Sequence, residues 1–341
     1  MDLIRRENET LKEAETLPKE AETLPKEAET LPKKEKKIYY QTNKKFSIFT
    51  HLNHDLVIVH DPQPLALIEF YEKKQPWVFR CHVDLSKPNL EIWNYLKKFI
   101  RKYDHFVVST EEYKKNLSVS QSIIHPAIDP LSPKNKPLSQ KTINKYLDRH
   151  GIAKNKPIIS QISRFDKWKD PEGVIKVFET VKKEIDCQLV LLGNIVMDDP
   201  EGAEVYNKIM KKYGHDKDIK ILANISDNDI VVNALQTRSS VVIQKSLKEG
   251  FGLTVSEALY KGTPVVASNI GGIPLQVVNG KNGFLHEPKD IKGFAESIIE
   301  ILKDKKLREG LGKKGKKRVK KNFLITRLIL DWLNLFEQYL T

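Results

Sequence analysis

Two cationic side chains, Arg164 and Lys169, follow a buried strand that the sequence predicts at residues 157–162. Ligands of open α/β sheets bind at the carboxyl ends of the strands, so these two cations stand where a ligand would arrive. A guanidinium offers a planar fork and an ammonium a point charge, and together they suit a phosphate or diphosphate group. Taken alone, two cations at this spacing are more often solvated surface residues, and that alternative stays open.

A glycine turn follows the strand predicted at residues 240–244, where the sequence EGFGLTVSE occupies residues 249–257. The end of this turn would open the next helix. The free amides of a helix N-terminus, at the positive end of its dipole, attract an anionic phosphate. The residues that would supply those amides are Gly252, Leu253 and Thr254.

The carboxylates of Glu249 and Glu257 bracket this predicted anion site. A carboxylate repels a phosphate, so we expect both side chains to serve another part of the ligand. Sugar hydroxyls are the natural partners, because the two oxygens of a carboxylate accept hydrogen bonds from a vicinal diol. The alternative is one glutamate that caps a helix and another on the helix surface.

Two histidines end predicted strands of the N-terminal half. His60 follows the apolar run at 56–59, and His82, with Asp84 just beyond it, follows the run at 77–81. Each histidine would stand at the edge of the same crevice as the charged residues. A polar core residue is the alternative for either of them.

Short apolar runs alternate with helix-length amphipathic stretches throughout the chain, which predicts α/β architecture with parallel sheets and right-handed crossovers. A proline-, serine- and lysine-rich stretch at 131–155 covers the join between two halves. The last stretch, 319–341, predicts one helix. Its predicted buried side consists of Phe323, Leu324, Leu328, Ile329, Trp332, Leu333, Phe336 and Leu340. The predicted strands lie at 56–59, 77–81, 106–108 and 122–124, then at 157–162, 188–193, 219–222, 240–244 and 264–267.

The composition of the 341 residues, with 40% hydrophobic and 30% charged side chains, excludes collagen, a disulfide miniprotein and wholesale disorder. Cys81 and Cys187 are far apart and lack the spacing of metal ligands, so we expect neither a disulfide framework nor a zinc site. This predicts that the protein resides in the reducing cytoplasm. We expect no secretory signal and no membrane span, because no apolar run approaches the length that either requires.

Two segments carry biased sequence. KEAETLP occurs three times, at 12–18, 19–25 and 26–32, and its prolines argue against a coiled coil, so we expect a poorly ordered repeat segment. Residues 301–321 hold eleven Lys or Arg against two acidic residues. We interpret the basic segment as a solvated helical face, with a polyanion-binding surface as the alternative. No nucleic-acid motif accompanies it.

The motifs at the strand ends resemble those of a known family. The two glutamates of EGFGLTVSE resemble the signature of retaining glycosyltransferases of family 4. SRFDKWK at 163–169 resembles the segment after a strand with which that family binds the phosphates of the donor. Over roughly 37–341 the chain is similar to the glycosyltransferring trehalose synthases within it. The motifs carrying this similarity are HDPQP at 60–64, QPW at 75–77, RCHVDLS at 80–86, DDPEG at 198–202 and GGI at 271–273.

The resemblance implies a GT-B fold, in which two Rossmann-like domains face each other across a crevice. It implies transfer of glucose from ADP- or UDP-glucose to glucose, forming trehalose with retention. No cofactor would be obligatory, Mg²⁺ would be optional, and the sequence offers no metal site. The implied division is a repeat segment 1–36, an acceptor-side domain 37–150, a nucleotide-sugar domain 151–320 and a returning helix 321–341.

The resemblance also implies roles for individual residues. Arg164 and Lys169 would bind the diphosphate and stabilise the leaving group. Glu249 would hold hydroxyls of the transferred glucose, and Glu257 would hold those of the ribose. His82 would contact the transferred sugar from the facing domain. The remaining substrate-binding positions are Gly252, Leu253, Thr254, His60 and Asp84.

The N-terminal half departs from the family pattern, which begins with strands and a glycine-rich loop. No glycine occurs before Gly151, and only the repeats precede residue 37, so we expect a truncated acceptor domain with an exposed sheet edge. Three hypotheses follow: an active transferase, with trehalose phosphorylase as a variant; a nucleotide-sugar binder or half of a split enzyme; and an interaction protein using the basic segment. The protein partners expected are a second copy of this chain, in a homo-oligomer, or a separate chain that supplies the missing N-terminal part.

Overall fold

The computed structural model describes residues 31–195 and 200–340. The predictions for the first 30 residues, and for Asp198 and Asp199 of the DDPEG motif, lie outside this part of the chain. Within it, strands and helices alternate and every strand pair is parallel. The α/β architecture predicted from the alternating apolar runs is confirmed.

The N-terminal half builds a four-stranded sheet. Its elements are α1 (Lys33–Phe49), β1 (Val57–His60), the 3-10 helix Leu65–Phe70, β2 (Trp77–Arg80), α2 (Leu90–Ile100), β3 (His105–Val108) and β4 (Ser120–Ile123). The strands lie side by side in chain order. The Asn89 side chain begins α2 by accepting hydrogen bonds from two backbone amides of its first turn. Helix α1 begins inside the predicted repeat segment 1–36, which is therefore helical from Lys33 onwards.

The C-terminal half builds a larger sheet. Its elements are α3 (Gln140–Arg149), β5 (Ile158–Ile162), α4 (Pro171–Lys182), β6 (Gln188–Gly193), α5 (Pro200–Tyr213), β7 (Ile219–Ala223), α6 (Asn228–Arg238), β8 (Val241–Gln244), α7 (Leu253–Lys261), β9 (Val265–Ser268), α8 (Ile273–Gln276), β10 (Gly283–His286) and α9 (Ile291–Lys303). The strand order is β10-β9-β8-β5-β6-β7. The chain reverses direction across the sheet between β5 and β8, a switch point where such sheets bind ligands.

The prediction of five strands for this sheet is wrong, because β10 is a sixth strand. It is only four residues long, and a turn with Gly280 at a positive φ of 70° precedes it. Its neighbouring Asn and Gly residues indicate a loop, so the strand is recognisable only from its pairing with β9.

The prediction of one helix over residues 319–341 is also wrong. Two helices, α10 (Lys305–Asn322) and α11 (Ile325–Leu340), meet at Phe323. There the backbone pairs with Ile128 instead of continuing the helix: the Ile128 amide donates to the Phe323 carbonyl at 2.9 Å, and the Ile325 amide donates to the Ile128 carbonyl at 3.0 Å.

The buried side of α11 differs from the prediction. Leu335 is its buried residue, and it packs with Leu328 and Trp332 against Val78 and Val107 of the N-terminal sheet. Three residues assigned to the buried side are instead exposed: Ile329, Leu333 and Leu340. Helix α11 thus packs against the N-terminal half, as expected, but with a different face from the one predicted.

Helix α3 precedes residue 151, where the prediction divides the two domains, yet it packs with the C-terminal half. Ile143 and Leu147 share a core with Ile158 of β5 and with Val231 and Leu235 of α6. The N-terminal sheet has its own core, in which Trp77, Phe79 and Phe106 are buried. The two sheets are therefore packed as separate bodies that present their carboxyl ends to a shared crevice.

Candidate functional site

A cavity of about 400 Å³ lies between the two halves, at the carboxyl ends of β5 and β8. We call it the first cavity. Eight of the ten predicted site residues line it: His82 from the N-terminal half, and Arg164, Lys169, Glu249, Gly252, Leu253, Thr254 and Glu257 from the C-terminal half. The structure therefore brings together residues that are up to 175 positions apart in the chain, from His82 to Glu257.

An ion pair joins Lys169 to Glu249 inside the first cavity. The Lys169 Nζ lies 2.7 Å from Glu249 Oε2, and the two side chains are only 15% and 11% exposed. The same oxygen accepts hydrogen bonds from Gln244 Nε2 at 3.3 Å and Ser246 Oγ at 3.2 Å. The sequence predicted the lysine for a phosphate and the glutamate for a sugar, but not their contact. Because Lys169 neutralises its charge, the Glu249 carboxylate can lie beside an anion site without adding net negative charge there.

Arg164 stands at the mouth of the first cavity with its side chain largely exposed. Its guanidinium lies 3.1 Å from the buried Asp166 Oδ2. The other oxygen of Asp166 accepts hydrogen bonds from the amides of Trp168 and Lys169, which fixes the turn after β5. The guanidinium is the exposed partner of this pair, so it can turn from Asp166 towards a ligand while the two amides still hold the buried carboxylate.

The glycine turn gives α7 a free N-terminus that faces the first cavity. Gly252 has a φ of +80°, a conformation that glycine adopts without strain, and no side chain of the described residues caps the helix. A Cβ at Gly250 would lie only 2.9 Å from the carbonyl oxygen of His82, so the turn approaches the N-terminal half closely. The amides at the start of α7 are available to an anion, as the sequence predicts.

Glu257 lies in the first turns of α7 and is almost fully buried. Its Oε1 is 3.8 Å from Lys134 Nζ, and its Oε2 is buried without a hydrogen-bond partner among the described residues. Burial raises the pKa of this carboxyl above its usual range, and the nearby Lys134 and Lys261 oppose that shift. A buried acceptor with no partner favours a hydrogen-bond donor from a ligand.

Lys134 is a residue of this site that the sequence did not reveal. It lines the first cavity and comes from the stretch predicted as the join between the halves, where no strand end or motif marks it. The neighbouring Lys261 donates to Asn135 Oδ1 at 2.9 Å, and burial lowers its pKa to about 8. The cationic side of the cavity is therefore larger than the predicted pair.

The two predicted histidines are in contact with each other. His60 Nδ1 lies 2.9 Å from His82 Nε2, and the rings are stacked with centroids 5.2 Å apart. The Asp61 carboxylate accepts a hydrogen bond from the His82 amide at 2.7 Å. Burial and then the charge of Arg80 lower the pKa of both imidazoles. The lowered pKa favours the neutral form of both rings. His82 lines the cavity, and His60 contacts His82 from outside the lining.

Tyr113 links the two halves and was not predicted. Its hydroxyl lies 3.1 Å from the Glu249 carbonyl oxygen and 2.8 Å from the Gly250 carbonyl oxygen.

Asp84 is the predicted site residue that lies elsewhere. It lines not the first cavity but a second one of about 720 Å³ between the two halves, and its Oδ1 accepts hydrogen bonds from the amide and hydroxyl of Ser86. The ligand-binding roles of all these residues stay predictions.

Comparison with protein families gives two matches. Residues 142–318 match the model "Glycosyl transferases group 1", and residues 21–115 match "Trehalose synthase, N-terminal domain". A trehalose synthase from Thermococcus litoralis is 45% identical over 309 residues, which cover 89% of this chain and 74% of that protein. A trehalose phosphorylase from Pleurotus pulmonarius is 30% identical over 297 residues, which cover 74% of this chain and 40% of that protein.

Solved structures show the same fold at low sequence identity. Sucrose-phosphate synthase from Thermosynechococcus elongatus matches with a TM-score of 0.75 and 20% identity over 90% of this chain and 80% of its own. HepE from Anabaena, in complex with UDP-glucose, matches with a TM-score of 0.73 and 19% identity over 87% of this chain and 82% of its own. The predicted GT-B fold is confirmed. None of the helices that the structure describes is long and apolar enough to cross a membrane.

Proposed function

This chain belongs to the group 1 glycosyltransferase family and is a trehalose-related glycosyltransferase, and from that premise we propose that it transfers glucose from a nucleotide sugar to glucose, forming trehalose. The observation that carries the proposal is the convergence of Arg164, Lys169, Glu249 and Glu257 on one cavity. Cations, free amides and two carboxylates are the groups that a diphosphosugar needs. The reported complex of HepE with UDP-glucose favours UDP as one donor base to test.

The donor lies along the first cavity in this proposal. Arg164, Lys169 and the amides at the start of α7 bind the diphosphate, where a phosphate competes with Glu249 for Lys169. The buried Oε2 of Glu257 accepts a hydrogen bond from a ribose hydroxyl. Glu249 and His82 contact the transferred glucose at the end of the cavity that meets the N-terminal half.

The chemistry proposed is transfer with retention. The bond between the anomeric carbon and the diphosphate oxygen breaks while the acceptor hydroxyl attacks from the same face, and the leaving phosphate takes the acceptor's proton. Charge develops on the leaving diphosphate, where Arg164 and Lys169 stabilise it. These cations supply the electrostatic stabilisation that an Mg²⁺ ion would give, so we propose that the reaction needs no metal. Addition of EDTA should leave the rate unchanged.

Trehalose phosphorylase is the second candidate, because a protein of that name is 30% identical to this chain. Inorganic phosphate has no ribose, so it would offer no hydroxyl to the buried Glu257 Oε2. The lack of a hydrogen-bond partner for this oxygen among the described residues therefore favours a nucleotide sugar as the substrate. A donor-binding protein without turnover is the remaining alternative.

The two cysteines bear on the location that we propose. A reducing compartment such as the cytoplasm suits the buried free thiols of Cys81 and Cys187.

Two assays separate these candidates. Purified protein is incubated with UDP-glucose or ADP-glucose and glucose, and trehalose is quantified by chromatography. Separately, trehalose and inorganic phosphate are incubated with it, and glucose 1-phosphate is measured. We expect trehalose only from the nucleotide sugar. Glucose 1-phosphate from trehalose would favour the phosphorylase, and nucleotide binding with no product in either assay would favour the binding protein.

A further inference from the structure

Lys134 lines the first cavity with N–H donors that no described residue uses. Its Nζ lies 3.8 Å from Glu257 Oε1 and 3.7 Å from Asp229 Oδ1. Both distances exceed the range of about 2.7–3.2 Å that a hydrogen bond from nitrogen to oxygen requires. Because the Lys134 side chain is 34% exposed, a molecule in the cavity can reach its ammonium group.

The backbone on either side of Lys134 is fixed to the C-terminal half. The side chain of Asn233, buried in α6, donates hydrogen bonds to the Pro133 carbonyl at 2.9 Å and to the Lys136 carbonyl at 2.7 Å. The buried Asn135 accepts a hydrogen bond from Lys261 of α7 at 2.9 Å. Lys134 is therefore held at a defined place beside α7, although it belongs to the irregular stretch between the two halves.

The charges around Lys134 balance without a ligand. Glu257 and Asp229 are the acids, and Lys134 and Lys261 are the cations. Lys261 is already engaged, since it donates to Asn135 Oδ1 at 2.9 Å and to the Glu257 carbonyl at 3.2 Å. Two carboxylates near the Lys134 ammonium would repel a phosphate, so this part of the cavity suits a neutral polar group.

A donor and an acceptor without partners therefore lie side by side in the cavity wall. The donor is Lys134 Nζ, and the acceptor is the buried Oε2 of Glu257, neither of which has a hydrogen-bond partner within residues 31–195 and 200–340. A hydroxyl both donates and accepts hydrogen bonds. Two neighbouring hydroxyls can thus satisfy both groups, one by donating to Glu257 and the other by accepting from Lys134.

We propose that Lys134 is a second ribose-binding residue, which binds the vicinal diol of the nucleotide together with Glu257. The pair makes the cavity selective for ribonucleotides over nucleotides whose sugar lacks the diol. This inference rests on the proposed function, because it takes the ligand of the first cavity to be a nucleotide sugar. It adds a residue from outside the strand ends and gives that residue a specificity of its own.

The test compares nucleotides with and without the diol. Calorimetry measures the affinity of the full chain for UDP, for ADP and for the 2′,3′-dideoxy form of each. We expect the wild type to bind the ribonucleotide at least tenfold more tightly, as for hydrogen bonds to charged groups. Lys134→Met should weaken binding of the ribonucleotide roughly tenfold and binding of the dideoxy form much less. The preference for the ribonucleotide should therefore shrink.

Lys136→Met is the matched control, because it removes the same charge from an exposed residue that does not line the cavity. It should leave the preference unchanged. The proposal is overturned if the wild type shows no preference, if Lys134→Met loses affinity for both forms by the same factor, or if both lysine variants act alike. A wild type that binds neither UDP nor ADP would contradict the proposed function and, with it, this inference.

Discussion

Two ion pairs join the same two loops of the C-terminal sheet, and they differ in where they lie. After β5 the chain places Lys169 and then Asp170; after β8 it places Lys245 and then Glu249. Lys169 pairs with Glu249 at the first cavity, and Asp170 pairs with the fully buried Lys245, outside the lining of that cavity. We call these the outer and the inner pair. The polarity is opposite in the two pairs, so the two loops are bound to each other in both directions.

The inner pair is built on the more deeply buried cation. The Lys245 side chain is 2% exposed and that of Asp170 is 22% exposed, and Asp170 also accepts a hydrogen bond from the Gly173 amide at 3.0 Å, which caps α4. The outer pair borders the first cavity, where a ligand can reach both partners. The same chemistry therefore serves two purposes: the inner pair holds the loops, and the outer pair offers groups that a substrate can engage. Four predictions test this comparison.

The largest effect is expected at the inner pair. Lys245→Met leaves the half-buried Asp170 carboxylate without its cation. Breaking a buried pair costs about 3–5 kcal/mol, and the partial exposure of Asp170 puts the expected loss at the lower end of that range. Urea denaturation should show that loss in the free energy of unfolding, and Lys169→Met should lose clearly less because Gln244 and Ser246 still bind Glu249. Equal losses would remove the distinction between the pairs.

The outer pair should dominate activity. Lys169→Met removes a cation from the developing charge on the diphosphate, so kcat should fall about 10²–10³-fold, as when one preorganised donor is lost. Initial rates of trehalose formation from a nucleotide sugar measure this change. Lys167→Met is the matched control, since Lys167 is exposed and pairs with Glu201 at 3.4 Å away from the cavity. A similar loss in both variants would contradict the assignment.

Glu257 should give a smaller effect, on nucleotide affinity. Glu257→Gln weakens the hydrogen bond to the ribose, and UDP affinity should fall roughly tenfold. The ionised carboxylate is the better acceptor, so wild-type affinity should be full above the raised pKa of Glu257 and decline as pH falls through it. The decline should begin at a higher pH than for an exposed glutamate. Calorimetry over the acidic range would count against this role if the Gln variant retained the decline.

The smallest effect is expected where the two halves meet. Tyr113→Phe removes the hydroxyl that bonds to the Glu249 and Gly250 carbonyls, at a cost of about 1 kcal/mol. Tyr103→Phe removes a comparable bond to the Leu65 carbonyl inside the N-terminal half. Both should reduce stability similarly in urea, and only Tyr113→Phe should raise the KM for the donor. An unchanged KM would limit Tyr113 to a structural role.

The sequence predicted the parts of this site that lie at strand ends. Arg164, Lys169 and Glu249 were found because each follows the end of a strand, and Glu257 because it closes the EGFGLTVSE motif that opens the next helix. Their order in the chain could not reveal that β5 and β8 are neighbours in the sheet, so the Lys169–Glu249 contact was missed. That contact depends on strand order, which long-range pairing determines.

Other misses have local causes. Lys134 lies in an irregular stretch without periodicity, and Tyr113 bonds to carbonyl oxygens of the other half, so neither has a motif of its own. Asp84 lies two residues beyond His82, where regular alternation would turn both side chains to the same side, but the chain is irregular here and bends at Val83. Asp84 therefore faces the second cavity while His82 faces the first.

The central claim is that one diphosphosugar contacts the cations and the glutamates of the first cavity together. Calorimetric titration with UDP, on the wild type and on Arg164→Ala and Glu257→Gln, tests it most directly. The account predicts one UDP per wild-type chain and weaker binding in both variants, with losses in free energy that add in the double variant. Binding of UDP that neither substitution changes would contradict it.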